Sequence, residues 1–188
     1  MIDDRYTYLL VDVFCILVPL IASFHPKVNF YRHWRFFWPP CLFTAVFFIL
    51  WDVIFTHRAI WSFNPRYLTG VYVYNLPVEE IAFFICVPYA CVFTYFCVAS
   101  YVQLAGYEKA AAKISVVLSV VAMIVACFNY YRLYTAITFG LLSILLAIVA
   151  RRRVSFMPHF YLSYIIILIP FLLSNGILTG AFTDEPVV

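Results

Sequence analysis

Six apolar stretches dominate this chain and constrain it more than any motif does. They fall at residues 6–24, 36–56, 78–102, 114–130, 134–150 and 156–179, with short polar joints between them. A helix needs about 20 mainly apolar residues to cross a bilayer. Backbone in lipid must also satisfy its own hydrogen bonds, which helices do. The pattern therefore predicts an all-α fold, a polytopic membrane helix bundle, with residues 1–188 forming one membrane domain. Composition agrees, because 66% of residues are hydrophobic and 11% charged, against about 45–50% and about 25% in soluble domains. The first stretch follows Asp3 and Asp4 and has neither a basic leader nor a small-residue cleavage site. It reads as a retained helix rather than a signal peptide. The expected partner is the lipid bilayer and not nucleic acid, since the net charge is only +3 and no basic run supports a nucleic-acid surface.

Orientation follows from the basic residues. Lys27, Arg32, Arg35, Lys109, Lys113, Arg151, Arg152 and Arg153 lie in the joints after the first, third and fifth stretches. The other side carries Arg5, Arg58, Arg66 and Arg132. Cytoplasmic loops are richer in Lys and Arg, so the N-terminus is expected outside, in a bacterial cell membrane. The one long joint, 57–77, contains Asn64-Pro65 and Gly70 and is crowded with Trp61, Phe63, Tyr67, Tyr72 and Tyr74. Pro and Gly argue against continuous helix there. The aromatics suit a loop folded onto the membrane interface.

A short internal repeat suggests the organisation. Trp51-Asp52-Val53-Ile54-Phe55-Thr56 aligns with Ser174-Asn175-Gly176-Ile177-Leu178-Thr179, and each closes an apolar stretch. Residues 1–102 then form a first three-helix repeat, 103–132 a linker helix and 133–188 an incomplete second repeat. On this spacing the counterpart of Pro77-Val78-Glu79-Glu80 falls past Val188. We therefore expect a truncated product with seven helices at full length.

The chemistry concentrates where the second and third stretches meet. Asp52 lies near the end of one, and Leu76-Pro77-Val78-Glu79-Glu80 opens the next. Ionisable groups at the edge of an apolar span are costly and are functional candidates by default. The competing explanation is an acidic helix N-terminus, where Pro fits the first turn and the dipole favours carboxylates. Asp52, near a helix C-terminus, needs a donor: Arg58, Arg66 or a loop N–H. Three neighbouring carboxyls taken out of water suit acid chemistry. Adjacent helical residues diverge by about 100 degrees. One of Glu79 and Glu80 can then meet a substrate while the other bonds Asp52 or the loop. Asp12 and Asn129 are expected as interhelical hydrogen-bond partners.

Several functions fall away. The histidines (25, 33, 57, 159) lack di-iron spacing, no DDxxD is present to hold a magnesium diphosphate, and no GxGxxG occurs. No lysine sits mid-helix in the late stretches to hold retinal. The six cysteines form no CxxC and read as small apolar residues, so neither disulfide nor metal is expected.

The order WDxxFT…IWxFNxxYxxGxxxxxLPxEE is carried by Trp51, Asp52, Phe55, Thr56, Ile60, Trp61, Phe63, Asn64, Tyr67, Gly70, Leu76, Pro77, Glu79 and Glu80. It resembles the membrane-integral lycopene cyclase family, the heterodimeric-type and fused enzymes. The resemblance runs through the first repeat and resumes at Asn175–Thr179. The family's second acidic motif, Pro-x-Glu-Asp, is missing here. The resemblance implies protonation of the terminal C1=C2 bond of the lycopene ψ-end and closure of a β-ionone ring. There is no net redox and no cofactor. It implies Glu79, Glu80 and Asp52 as catalytic, and Trp51, Trp61, Phe63, Asn64, Tyr67 and Asn175 as substrate-binding. The alternatives are a carotenoid hydratase or other carotenoid-modifying membrane enzyme, a small membrane transporter, or a structural subunit. Assembly into a homo-oligomer is left open.

Overall fold

The computed structural model describes residues 4–181 and 185–187. Six α-helices are α1 (Thr7–Ser23), α2 (Trp34–His57), α3 (Val78–Tyr101), α4 (Glu108–Phe128), α5 (Leu133–Arg152) and α6 (Met157–Leu178). All six are long and apolar enough to cross a membrane. The chain is thus an all-α, polytopic membrane protein. Helix α4 starts earlier than hydropathy suggests. Its first turns, Glu108-Lys109-Ala110-Ala111-Ala112-Lys113, are polar yet consist of strong helix formers.

The joint between α2 and α3 is more regular than its Pro and Gly content predicts. Strands β1 (Tyr72–Val73) and β2 (Leu76–Pro77) pair antiparallel, with Tyr72 opposite Pro77 and Val73 opposite Leu76. Tyr74 in the turn is left-handed, at φ 59°, an unusual state for a bulky residue. Asn75 beside it donates from Nδ2 to the Val53 carbonyl at 3.0 Å, which ties the turn to α2. The Val78 N–H donates to the Val71 carbonyl at 3.0 Å. These bonds fix the entry of α3 and place Glu79 and Glu80 in its first turn.

The described chain divides into two compact units. The first comprises Met1–Cys97 and Ile165–Val188. One of its cores gathers Tyr8, Val11, Tyr67, Leu68, Leu178 and Val187, with Phe63 and Phe83 packed on it. The other gathers Phe30, Phe37, Cys41, Tyr89 and Phe93. There Trp34 donates to the Tyr89 hydroxyl at 3.0 Å, and Ser23 bonds the same hydroxyl at 2.6 Å. Proline lies inside four helices that contribute to this unit, at Pro19 in α1, Pro39 and Pro40 in α2, Pro88 in α3 and Pro170 in α6. The Ser23 hydroxyl donates to the Pro19 carbonyl of its own helix at 2.7 Å.

The second unit is Val98–Tyr164. Small residues line the buried face of α4: Ala111, Ser115, Ser119, Ala122 and Ala126. Small side chains let membrane helices approach closely. Ser119 and Ser143 each donate to the other's carbonyl at 2.8 Å. Asn129 departs from its expected interhelical role, because its Nδ2 donates to Val125 of its own helix at 3.0 Å.

Candidate functional site

The site lies in the first unit, where α1, α2 and the start of α3 bring acidic groups together. Asp52 and Glu80 are buried, at 4% and 9% exposure, and lie within side-chain hydrogen-bond reach of each other. Two carboxyl groups can hydrogen-bond only if a proton sits between them. Tyr8, almost fully buried, donates its hydroxyl to Glu80 Oε2 at 2.5 Å. Asp52 thus has Glu80 beside it, while Arg66, one of its expected donors, is ion-paired with Asp4 at 2.9 Å.

Glu79 turns the other way. Its Oε1 accepts from the Thr69 N–H at 2.8 Å and from the Thr69 hydroxyl at 2.5 Å. Its Oε2 is buried without a hydrogen-bond donor among the described residues. The divergence between neighbouring helical positions therefore sends Glu79 to the loop and Glu80 to Asp52.

Asp12 departs from expectation. It is 2% exposed, and both carboxyl oxygens are buried without a hydrogen-bond partner among the described residues. It lies one turn from Tyr8 on α1 and within electrostatic reach of Glu79 and Glu80.

The same unit holds a cavity of about 300 Å³. Helices α1, α3 and α6 line it, with Phe14, Phe83 and Phe171 among its walls and Thr94, Ser174 and Asn175 as its polar residues. Two side chains connect cavity and acids. Phe83 lines the cavity and meets Tyr8 edge-on at 6.3 Å between ring centroids. Cys15 lines the cavity one turn along α1 from Asp12.

The expected substrate-binding residues scatter. Asn175 lines the cavity. Trp51, Phe55 and Trp61 form an aromatic run, with centroid separations of 4.6 and 5.1 Å. Tyr67 and Phe63 pack in and against the core that contains Tyr8. Asn64 acts locally. Its side chain accepts from Arg66 N–H at 3.1 Å and donates to Glu185 at 3.0 Å, while its N–H donates to the Val187 carbonyl at 2.9 Å.

Sequence reasoning missed Tyr8 and Thr69 and underrated Asp12. A signal existed for the first and third. Tyr8 and Asp12 are four residues apart on one helix, so they share a face, and a carboxylate inside an apolar helix is rarely idle. Thr69 gave none.

A family model described as lycopene cyclase matches residues 5–98 and 131–188 of the chain. No curated protein and no solved structure matches it.

Proposed function

We propose that this chain, which belongs to the lycopene cyclase family, closes a β-ring at the ψ-end of lycopene by protonation from its buried carboxyl pair. Family membership carries the general activity, carotenoid cyclisation. The buried Glu80, held by the Tyr8 hydroxyl at 2.5 Å with the buried Asp52 carboxyl beside it, is the observation that supports the finer reading. A proton already held between two carboxyls, shielded from water, is available to an alkene and to little else.

Glu80 is the acid in this reading. It gives its proton to C2 of the terminal double bond, leaving a tertiary cation at C1. The electron pair of C5=C6 then forms the C1–C6 bond, and a proton leaves the ring. Nothing is oxidised or reduced. Asp52 holds the proton in place beforehand, and Glu79 holds the Thr69 loop. The end group lies in the α1–α3–α6 cavity, whose phenylalanine faces stabilise positive charge. It reaches the acid when Phe83 turns away from Tyr8. Correct placement and preset dipoles lower the barrier.

The test uses membranes containing the full-length protein, lycopene and D2O, with no added flavin or nicotinamide. A cyclic product carrying one solvent deuteron, lost in Glu80→Gln, supports the reading. A product heavier by one water moves the protein to the hydratases. No conversion by correctly folded protein overturns the reading.

A further inference from the structure

The cyclisation proposed above needs a second group that the acid pair does not supply. Protonation at C2 and deprotonation at C6 occur at two carbons that are both bonded to C1. Acid and base must therefore stand close together, and the base must be free of the proton that the acid pair shares. Asp52 lies beside Glu80, with which it shares the proton in that reading. Among the described residues, Glu79 is held at Oε1 by two bonds from Thr69 and keeps only Oε2 without a donor, whereas neither oxygen of the remaining acid, Asp12, is held.

Asp12 remains. Buried carboxyl groups are normally hydrogen-bonded, and burying one without a partner is costly. Both Asp12 oxygens are nonetheless enclosed and without a hydrogen-bond donor among the described residues. The group sits within electrostatic reach of Glu79, Glu80 and Tyr8. One turn further along α1, Cys15 lines the cavity. Asp12 therefore lies on the α1 segment that joins the acid pair to the cavity. What its oxygens lack is a partner that donates a proton or carries positive charge, and the cyclised cation is both.

We propose that Asp12 is the catalytic base that takes the proton from C6, a role that rests on the cyclisation reading above. The Asp12 carboxylate removes the C6 proton, and the C–H electron pair becomes the C5=C6 bond of the β-ring. One proton enters at C2 and one leaves at C6, so the step balances as an isomerisation. Tyr8, one turn from Asp12 on α1 and hydrogen-bonded to Glu80, provides the return path in this proposal. Its hydroxyl gives a proton to Glu80 as it takes one from Asp12, which resets the acid.

The test compares Asp12→Asn, Asp12→Glu and Glu80→Gln with the native protein in D2O membranes. Ring isomers are resolved by chromatography, and deuterium is measured in recovered lycopene. General bases contribute about 100-fold or more to rate, so Asp12→Asn is expected to lower β-ring formation about 100-fold. Protonation persists in that variant. It shows as deuterium in the terminal groups of recovered lycopene, or as rings whose double bond lies elsewhere. Asp12→Glu keeps the β-isomer at a reduced rate. The same isomer at an undiminished rate in Asp12→Asn overturns the proposal. So does loss of deuterium uptake together with ring formation in Asp12→Asn of native thermal stability, because Asp12 then acts at or before protonation. Retained deuterium uptake in Glu80→Gln instead sinks the assignment of the acid and leaves the base standing.

Discussion

Thr69 meets one oxygen of Glu79 twice, with its N–H at 2.8 Å and its hydroxyl at 2.5 Å. This double bond to a single oxygen separates the roles of two adjacent glutamates. Glutamine at 79 still offers an amide oxygen to both donors. Hydrogen bonds to charged groups exceed neutral ones by about 1 kcal/mol, and 1.4 kcal/mol corresponds to about tenfold. Glu79→Gln is therefore expected to cost about tenfold or less in rate. Glu80→Gln removes the proposed proton donor and is expected to cost about 100-fold or more. Initial rates of ring formation for the two variants decide the matter, and equal losses would contradict the division of roles.

Tyr8→Phe keeps the ring that packs on Phe83 and removes only the hydroxyl that serves Glu80. A lost hydrogen bond to an ionisable buried group costs about 2 kcal/mol. The variant should unfold at lower temperature and turn over more slowly, with its ring isomer unchanged. Thermal melts in detergent, paired with product analysis, measure both. Unchanged stability would mean that the 2.5 Å bond contributes nothing.

Ala90 lines the cavity, and a larger side chain there takes the volume proposed for an end group. Ala90→Phe is expected to raise the lycopene content needed for half-maximal rate, while the protein still folds, since overpacking costs about 1–3 kcal/mol. Rates measured across a series of lycopene loadings test this. A variant that binds and cyclises lycopene normally would place the substrate elsewhere.

The serine pair of the second unit lies outside the proposed chemistry. Ser119→Ala with Ser143→Ala removes the two reciprocal hydroxyl bonds. Interhelical bonds in membranes average about 0.6 kcal/mol each. The double variant should lose about 1 kcal/mol of stability and keep its rate. A melt and an activity assay on the same sample suffice.

Hydropathy carried the helices, because an apolar run of bilayer length has few alternatives. It failed at α4, whose start at Glu108 is set by helix propensity and not by lipid. The acidic trio was legible from charge in the wrong place, and the opposed directions of Glu79 and Glu80 from helix geometry. Tyr8 shared a helix face with Asp12, but its bond to Glu80 was not legible. Its partner Glu80 is far away in sequence, and one tyrosine among fifteen carries no mark of a buried contact. The hairpin at Tyr72–Pro77 was hidden for a different reason. Its turn uses Tyr74 in a conformation that bulky residues avoid, and the bond from Asn75 to Val53 that ties this turn down is tertiary.

The prolines of α1 and α6 have an electrical consequence. Proline carries no N–H and so cannot serve the carbonyl four residues before it. Pro19 leaves the Cys15 carbonyl without that donor, and Pro170 does the same to Ile166. All four residues line the cavity. Two residues of a chamber with walls of hydrocarbon thus have amide oxygens that lack their usual helical donor. A neutral polyene gains little from them, whereas a polyene carrying a positive charge meets the negative ends of two fixed dipoles. Under the proposed cyclisation, the two prolines thus bias the chamber towards the charged form of its guest.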